Sequence, residues 1–145
     1  MPPSATPTGF IQDAVAFLAA AEFTLNRASG PSLPAYFLFA RSIELSLKAF
    51  LLEAGTTSKE LSSRPYGHNL VALQRKAVER NLASRLTLDN IELGVLNLLS
   101  KEYVETRLGY RISGARYLLP LIEVTEQLAR KLVRVLESNN SQGET

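Results

Sequence analysis

The chain has 145 residues, 46% of them apolar, with 16 Lys and Arg against 14 Asp and Glu, one His, no Cys and no Trp. One domain of this length buries roughly 68–70% of the surface its unfolded chain exposes, enough for a core without staples. Lack of cysteine excludes disulfides, thiol nucleophiles, iron–sulfur clusters and thiolate zinc sites, one imidazole cannot form a two-His metal pair, and a formal charge of +2 gives no bulk attraction to polyanions.

Residues 1–8 carry three prolines and no charged segment ahead of an apolar run, so they read as a mobile tail without a secretory signal, and the cytoplasm is the expected location. Helical spacing then dominates, with no run of strict alternation, so the expected fold is all-α, an antiparallel bundle of about five helices over residues 9–137. The first helix spans 10–28, with Phe10, Ala14, Phe17, Leu18, Ala21 and Leu25 at steps of three and four, and stops at Ser29-Gly30-Pro31. The second runs from Pro34, which needs no N–H in a first turn, to Ala54-Gly55. Its apolar stretch is interrupted by Arg41, Glu44 and Lys48, too often for a membrane span.

A polar link follows, in which Ser58 to Leu61 can form one turn. A short basic helix spans about His68–Asn81, a fourth begins behind Thr87 or Asp89 and reaches toward Tyr103, and a break comes at Leu108-Gly109. The last helix runs from about Pro120 to Glu137, leaving 138–145 as a second polar tail.

Three clusters could carry chemistry. Arg41, Glu44 and Lys48, at i, i+3 and i+7, form a polar stripe on an apolar helix, either a solvated edge or the wall of a polar cleft. His68 stands where a helix begins, where backbone N–H groups favour an anion, and it is either a structural ring or an acid–base group. The run from Tyr103 to Arg111, with Arg107 between them and Arg116-Tyr117 beyond, interleaves guanidinium groups with tyrosines and suits either phosphate clamping or loop anchoring. From Arg64 to Arg111 the chain holds eight basic and five acidic residues, a local +3, against −1 over residues 1–63.

In their joint order these stretches resemble the HEPN superfamily, small helical bundles named for nucleotide binding in higher eukaryotes and prokaryotes. Ala40 to Gly55 is similar to the family's second helix, in which a Glu, and a Lys four residues on, precede an apolar run ending in Gly. Gly67-His68-Asn69-Leu70 with Leu73 resembles its His-x-Leu-x-x-Leu segment, and Tyr103 to Arg107 its Tyr-x-x-Thr-Arg stretch, although Leu108-Gly109 replaces the usual continuation. The resemblance implies a homodimerising module with a cleft lined by Arg41, Glu44, Lys48, His68, Tyr103, Arg107 and Arg111. Its implied ligand is a nucleotide or RNA, and its implied partner a nucleotidyltransferase in a toxin–antitoxin-like pair.

Family ribonucleases carry an Arg, four to six residues and a His. Here Arg64 precedes His68 by three residues with Pro65 between, so the reading falls on a non-catalytic module with no cofactor and no metal. The enzymatic alternative is a metal-independent endoribonuclease in which Arg64 and His68 are catalytic. A third possibility is a helical adaptor that offers Leu121, Leu128, Leu132 and Val135 to a second copy or to the nucleotidyltransferase.

Overall fold

The computed structural model describes residues 6–28, 32–104 and 119–143. Among these are six α-helices and no strand: α1 (Pro7–Arg27), α2 (Leu33–Glu53), the single turn α3 (Ser58–Leu61), α4 (Leu70–Glu79), α5 (Asn90–Val104) and α6 (Ile122–Gly143), with a 3₁₀ turn at Leu82–Ser84. The all-α expectation holds. The stop at 29–31 and the break at Leu108-Gly109 lie outside the described residues.

Capping chemistry explains where the helix ends differ from those expected. Thr6 accepts from the Gly9 N–H, so α1 begins at Pro7, inside the stretch read as a tail. Asn69 accepts from the Ala72 N–H, which starts α4 at Leu70 and leaves His68 ahead of the helix. Of the two candidate caps for α5, Asp89 is used, in a reciprocal box: its carboxylate accepts from the Glu92 N–H at 2.7 Å, and Glu92 accepts from the Asp89 N–H at 2.9 Å. Helix α2 closes with the Thr56 N–H on the Leu51 carbonyl and the Gly55 N–H on that of Leu52. That closure needs a left-handed residue, and Gly55 supplies it at φ 100°. Beyond Glu137 nothing forbids helix, and α6 continues to Gly143.

Helix α2 is the axis of the molecule, touching α1, α4, α5 and α6. Every residue from Ser42 to Leu51 is buried, which is why the sequence there is apolar nearly all round. Ser42 Oγ donates to the Ala14 carbonyl, and the Arg41 guanidinium lies over the Phe17 ring. The pairs 14/42 and 17/41 run in opposite senses, so α1 and α2 form an antiparallel hairpin.

Helix α6 covers the other side of α2, with Leu128, Leu132 and Leu136 fully buried. This corrects the face offered to a partner: Leu128 and Leu132 are spent on the chain's own core, and of the four residues named only Leu121 is largely exposed. The helix periodicity marked them as apolar but could not say which neighbour takes them. No helix among the described residues is long and apolar enough to cross a membrane.

A candidate polyanion site organised by a buried carboxylate

Helical spacing puts Arg41, Glu44 and Lys48 on one face of α2, and the fold turns that face inward. Glu44 is 0% exposed and Lys48 8%. At Glu44 and Lys48 the stripe is therefore a buried, ion-paired cluster and not a solvated edge.

An ionised carboxylate offers about four lone-pair sites, and all four of Glu44 are filled. Oε1 accepts from Tyr103 OH at 2.6 Å and from His68 Nδ1 at 2.8 Å, and Oε2 accepts from Arg41 Nη1 at 2.8 Å and Lys48 Nζ at 2.9 Å. These groups come from α2, from the turn before α4 and from the last described turn of α5. Tyr103 is clamped edge-on by two rings, Phe37 at 5.6 Å and His68 at 5.4 Å between centroids.

Two devices deliver His68. Gly67 sits at φ 38°, a left-handed conformation that costs glycine little, in a turn where the Tyr66 and Gly67 N–H groups bond the Ser63 carbonyl. Ser100 Oγ of α5 then receives the Leu70 N–H at 3.1 Å and the Val71 N–H at 3.4 Å. With Asn69 on Ala72, these bonds occupy the first N–H groups of α4, so an anion would meet the side chains at this corner and not the helix end that the sequence pointed to.

Electrostatics follow from burial. Desolvation pushes the Glu44 carboxyl up, but the Lys48 charge and the hydrogen bonds from Tyr103, His68 and Lys48 outweigh it and hold it below the usual carboxylate range. Tyr103 is pushed well above the usual phenol range by its burial and by the Glu44 charge it faces. Burial opposes the Arg41 charge, yet Glu44 and Tyr103 together outweigh it and hold the guanidinium pKa above its ordinary value. One carboxylate against Arg41 and Lys48 leaves the cluster at +1 before the imidazole is counted.

Because an ionised carboxylate only accepts, the His68 proton on that side belongs to Nδ1, and a neutral ring then keeps a lone pair on Nε2. The His68 side chain is 62% exposed and that of Arg41 32%, so the buried carboxylate holds a guanidinium with spare N–H groups and an imidazole Nε2 acceptor at the surface. Beside His68 opens a recess of about 480 Å³ walled by residues 62–69.

Five of the sequence-predicted site residues thus meet: Arg41, Glu44, Lys48, His68 and Tyr103. Arg64 is exposed, lines the recess beside His68 and takes no part in the Glu44 network. Arg107 and Arg111 lie outside the described residues, as do Arg116-Tyr117. Ser100 and Phe37 were not singled out as site residues. The signal for Ser100 was a hydroxyl on the apolar face of α5, one residue after Leu99. Among the described residues no group of His, Asp and Glu gathers that could hold a metal ion. No family model, curated protein or solved structure matches the chain.

Proposed function

We propose that this chain is a HEPN-like binding and dimerisation module, non-catalytic, that meets a nucleotide or RNA at the Glu44 corner. The observation that carries the reading is a fully buried carboxylate saturated by four donors, with an excess of positive charge and with Arg41 and His68 at the surface. Such an arrangement suits a nucleotide: the guanidinium offers a planar fork to its phosphate, and Nε2 of the fixed imidazole can accept from a neighbouring ribose hydroxyl. Glu44 itself has no lone pair left for a ligand, so its part is to hold the other four.

Binding of a fluorescent nucleotide or short RNA by the parent, weakened in Arg41→Ala and His68→Gln and screened by salt, is the expected result. Equal binding by all three proteins would overturn the reading. Pairing with a second copy and with a nucleotidyltransferase is supported by the resemblance alone. Since Leu128 and Leu132 face inward, sedimentation should use Leu121→Glu as the surface control, because Leu128→Glu would bury a charge in the core.

One observation favours a second reading, the metal-independent endoribonuclease. With Nδ1 tied to Glu44, Nε2 of His68 is free to accept a ribose 2′-hydroxyl proton as the 2′-oxygen attacks the adjacent phosphorus, forming a 2′,3′-cyclic phosphate while the P–O5′ bond breaks and the leaving 5′-oxygen takes a proton from water. Arg64 lines the same recess and could face the phosphate. Total RNA left intact by the purified protein across the neutral pH range would remove this reading and leave the first in place.

A further inference from the structure

The recess beside His68 does not end at the turn. A second hollow of about 390 Å³ adjoins it, and the two share Pro65, Tyr66 and Asn69 as common walls. The second hollow is floored by one stripe of α4, on which Asn69, Ala72, Arg75, Lys76 and Glu79 fall at steps of three and four. At about 1.5 Å per residue that stripe is roughly 15 Å long, several times the ~3.4 Å spacing of stacked bases.

The chemistry of the walls is uneven in a useful way. Arg64 and Arg75 are exposed and have no acidic partner among the described residues, while Lys76 stands 3.6 Å from Glu79. Three cations against one carboxylate give the walls +2, next to the +1 of the Glu44 cluster. Between the cations sits the ring of Tyr66, half-buried and packed on the core on one side. Asn69 spends its carbonyl oxygen on Ala72, and its amide N–H groups have no acceptor among the described residues.

We propose that this groove, from His68 over Tyr66 to Arg75 and Lys76, is the track of a single-stranded nucleic acid, with Tyr66 as a stacking platform and the three cations on the backbone. The proposal rests on the reading of the Glu44 corner as a polyanion site and extends it to residues outside that corner. An acidic peptide would use the cations equally well but gains nothing from an aromatic face between them, and it is the occupant the experiment must separate.

The test is fluorescence anisotropy with labelled oligo-uridylate and oligo-thymidylate, with polyglutamate as competitor. The parent should bind both strands. Tyr66→Ala should weaken binding roughly five- to hundredfold, the range that loss of one stacked base implies, while Tyr66→Phe retains it. The double variant Arg75→Ala/Lys76→Ala, at surface positions, should flatten the salt dependence by roughly 0.7 for each phosphate no longer neutralised. If the strands bind and lose affinity only in Arg41→Ala and His68→Gln, the groove is overturned and the Glu44 corner stands. Absence of binding by the parent at low salt overturns both. Equal displacement by polyglutamate, with Tyr66→Ala unaffected, reduces the groove to a general anion patch and overturns the proposal.

Discussion

Two carboxylate clusters in this molecule use the same chemistry at opposite depths. At the Glu44 corner one carboxylate, fully buried, is shared by Arg41, Lys48, His68 and Tyr103. Where α1 meets α6, two carboxylates, Glu22 and Glu126, share one guanidinium, that of Arg130, at a half-open surface. Glu22 is held below its ordinary value, against its burial, by the hydrogen bond from Glu126 and by Arg130. Glu126 is pushed up, first by that same hydrogen bond and then by burial. In the outer cluster two carboxyl groups compete for one cation, and water can replace any member. In the inner one water has no access to Glu44, so each donor is obligatory, and what burial secures is a fixed placement of Arg41 and His68.

Removing a member should therefore cost very different amounts at the two sites. The largest effect is expected from Glu44→Ala, which leaves Lys48 buried without its counter-charge and should cost about 3–5 kcal/mol in urea unfolding. A loss below about 1 kcal/mol, the size of an exposed pair, would erase the distinction. Next comes Tyr103→Phe, which deletes one hydrogen bond to an ionised acceptor and should cost about 1.5–3 kcal/mol while leaving the ring contacts to Phe37 and His68 in place.

The pH dependence has opposite signs within the comparison. A carboxyl held low when folded stabilises above its unfolded pKa of about 4.3, and that stability is lost as pH falls through the folded value. Stability should accordingly drop in acid, and Glu44→Gln should flatten the drop. Glu126, raised when folded, contributes stability present at low pH and lost as pH rises through its folded value. Glu126→Gln should thus remove a small destabilisation near neutrality. The smallest effect belongs to Arg130→Gln, whose urea midpoint should stay close to the parent's, because solvent takes over at that surface.

The sequence displayed the inner cluster better than the outer one, for a physical reason. Arg41, Glu44 and Lys48 interrupt an apolar run, and charge at helical spacing in such a run must be either at an edge or paired inside. Sequence alone left those two open, because the partners, His68 and Tyr103, come from 24 and 59 residues away. Helix starts differ by a few residues from those the apolar spacing predicts where a side chain decides the cap, as at Thr6 and Asn69. The fate of Leu128 and Leu132 was not legible, since an apolar face looks alike whether its neighbour is α2 or another molecule. Tyr66, Arg75 and Lys76 belong to no motif, and only the packing of α4 against its preceding turn joins them into one groove.

Buried Glu44 fixes His68 through Nδ1 and leaves Nε2 to the surface. His68 is the only imidazole in the chain, so a two-dimensional ¹⁵N–¹H spectrum of the ring contains one residue's signals. At a pH where the ring is neutral, the parent should show a protonated Nδ1 and a lone pair on Nε2, and Glu44→Gln should release that preference. A parent ring with its proton on Nε2 would mean that Glu44 does not set the tautomer of His68.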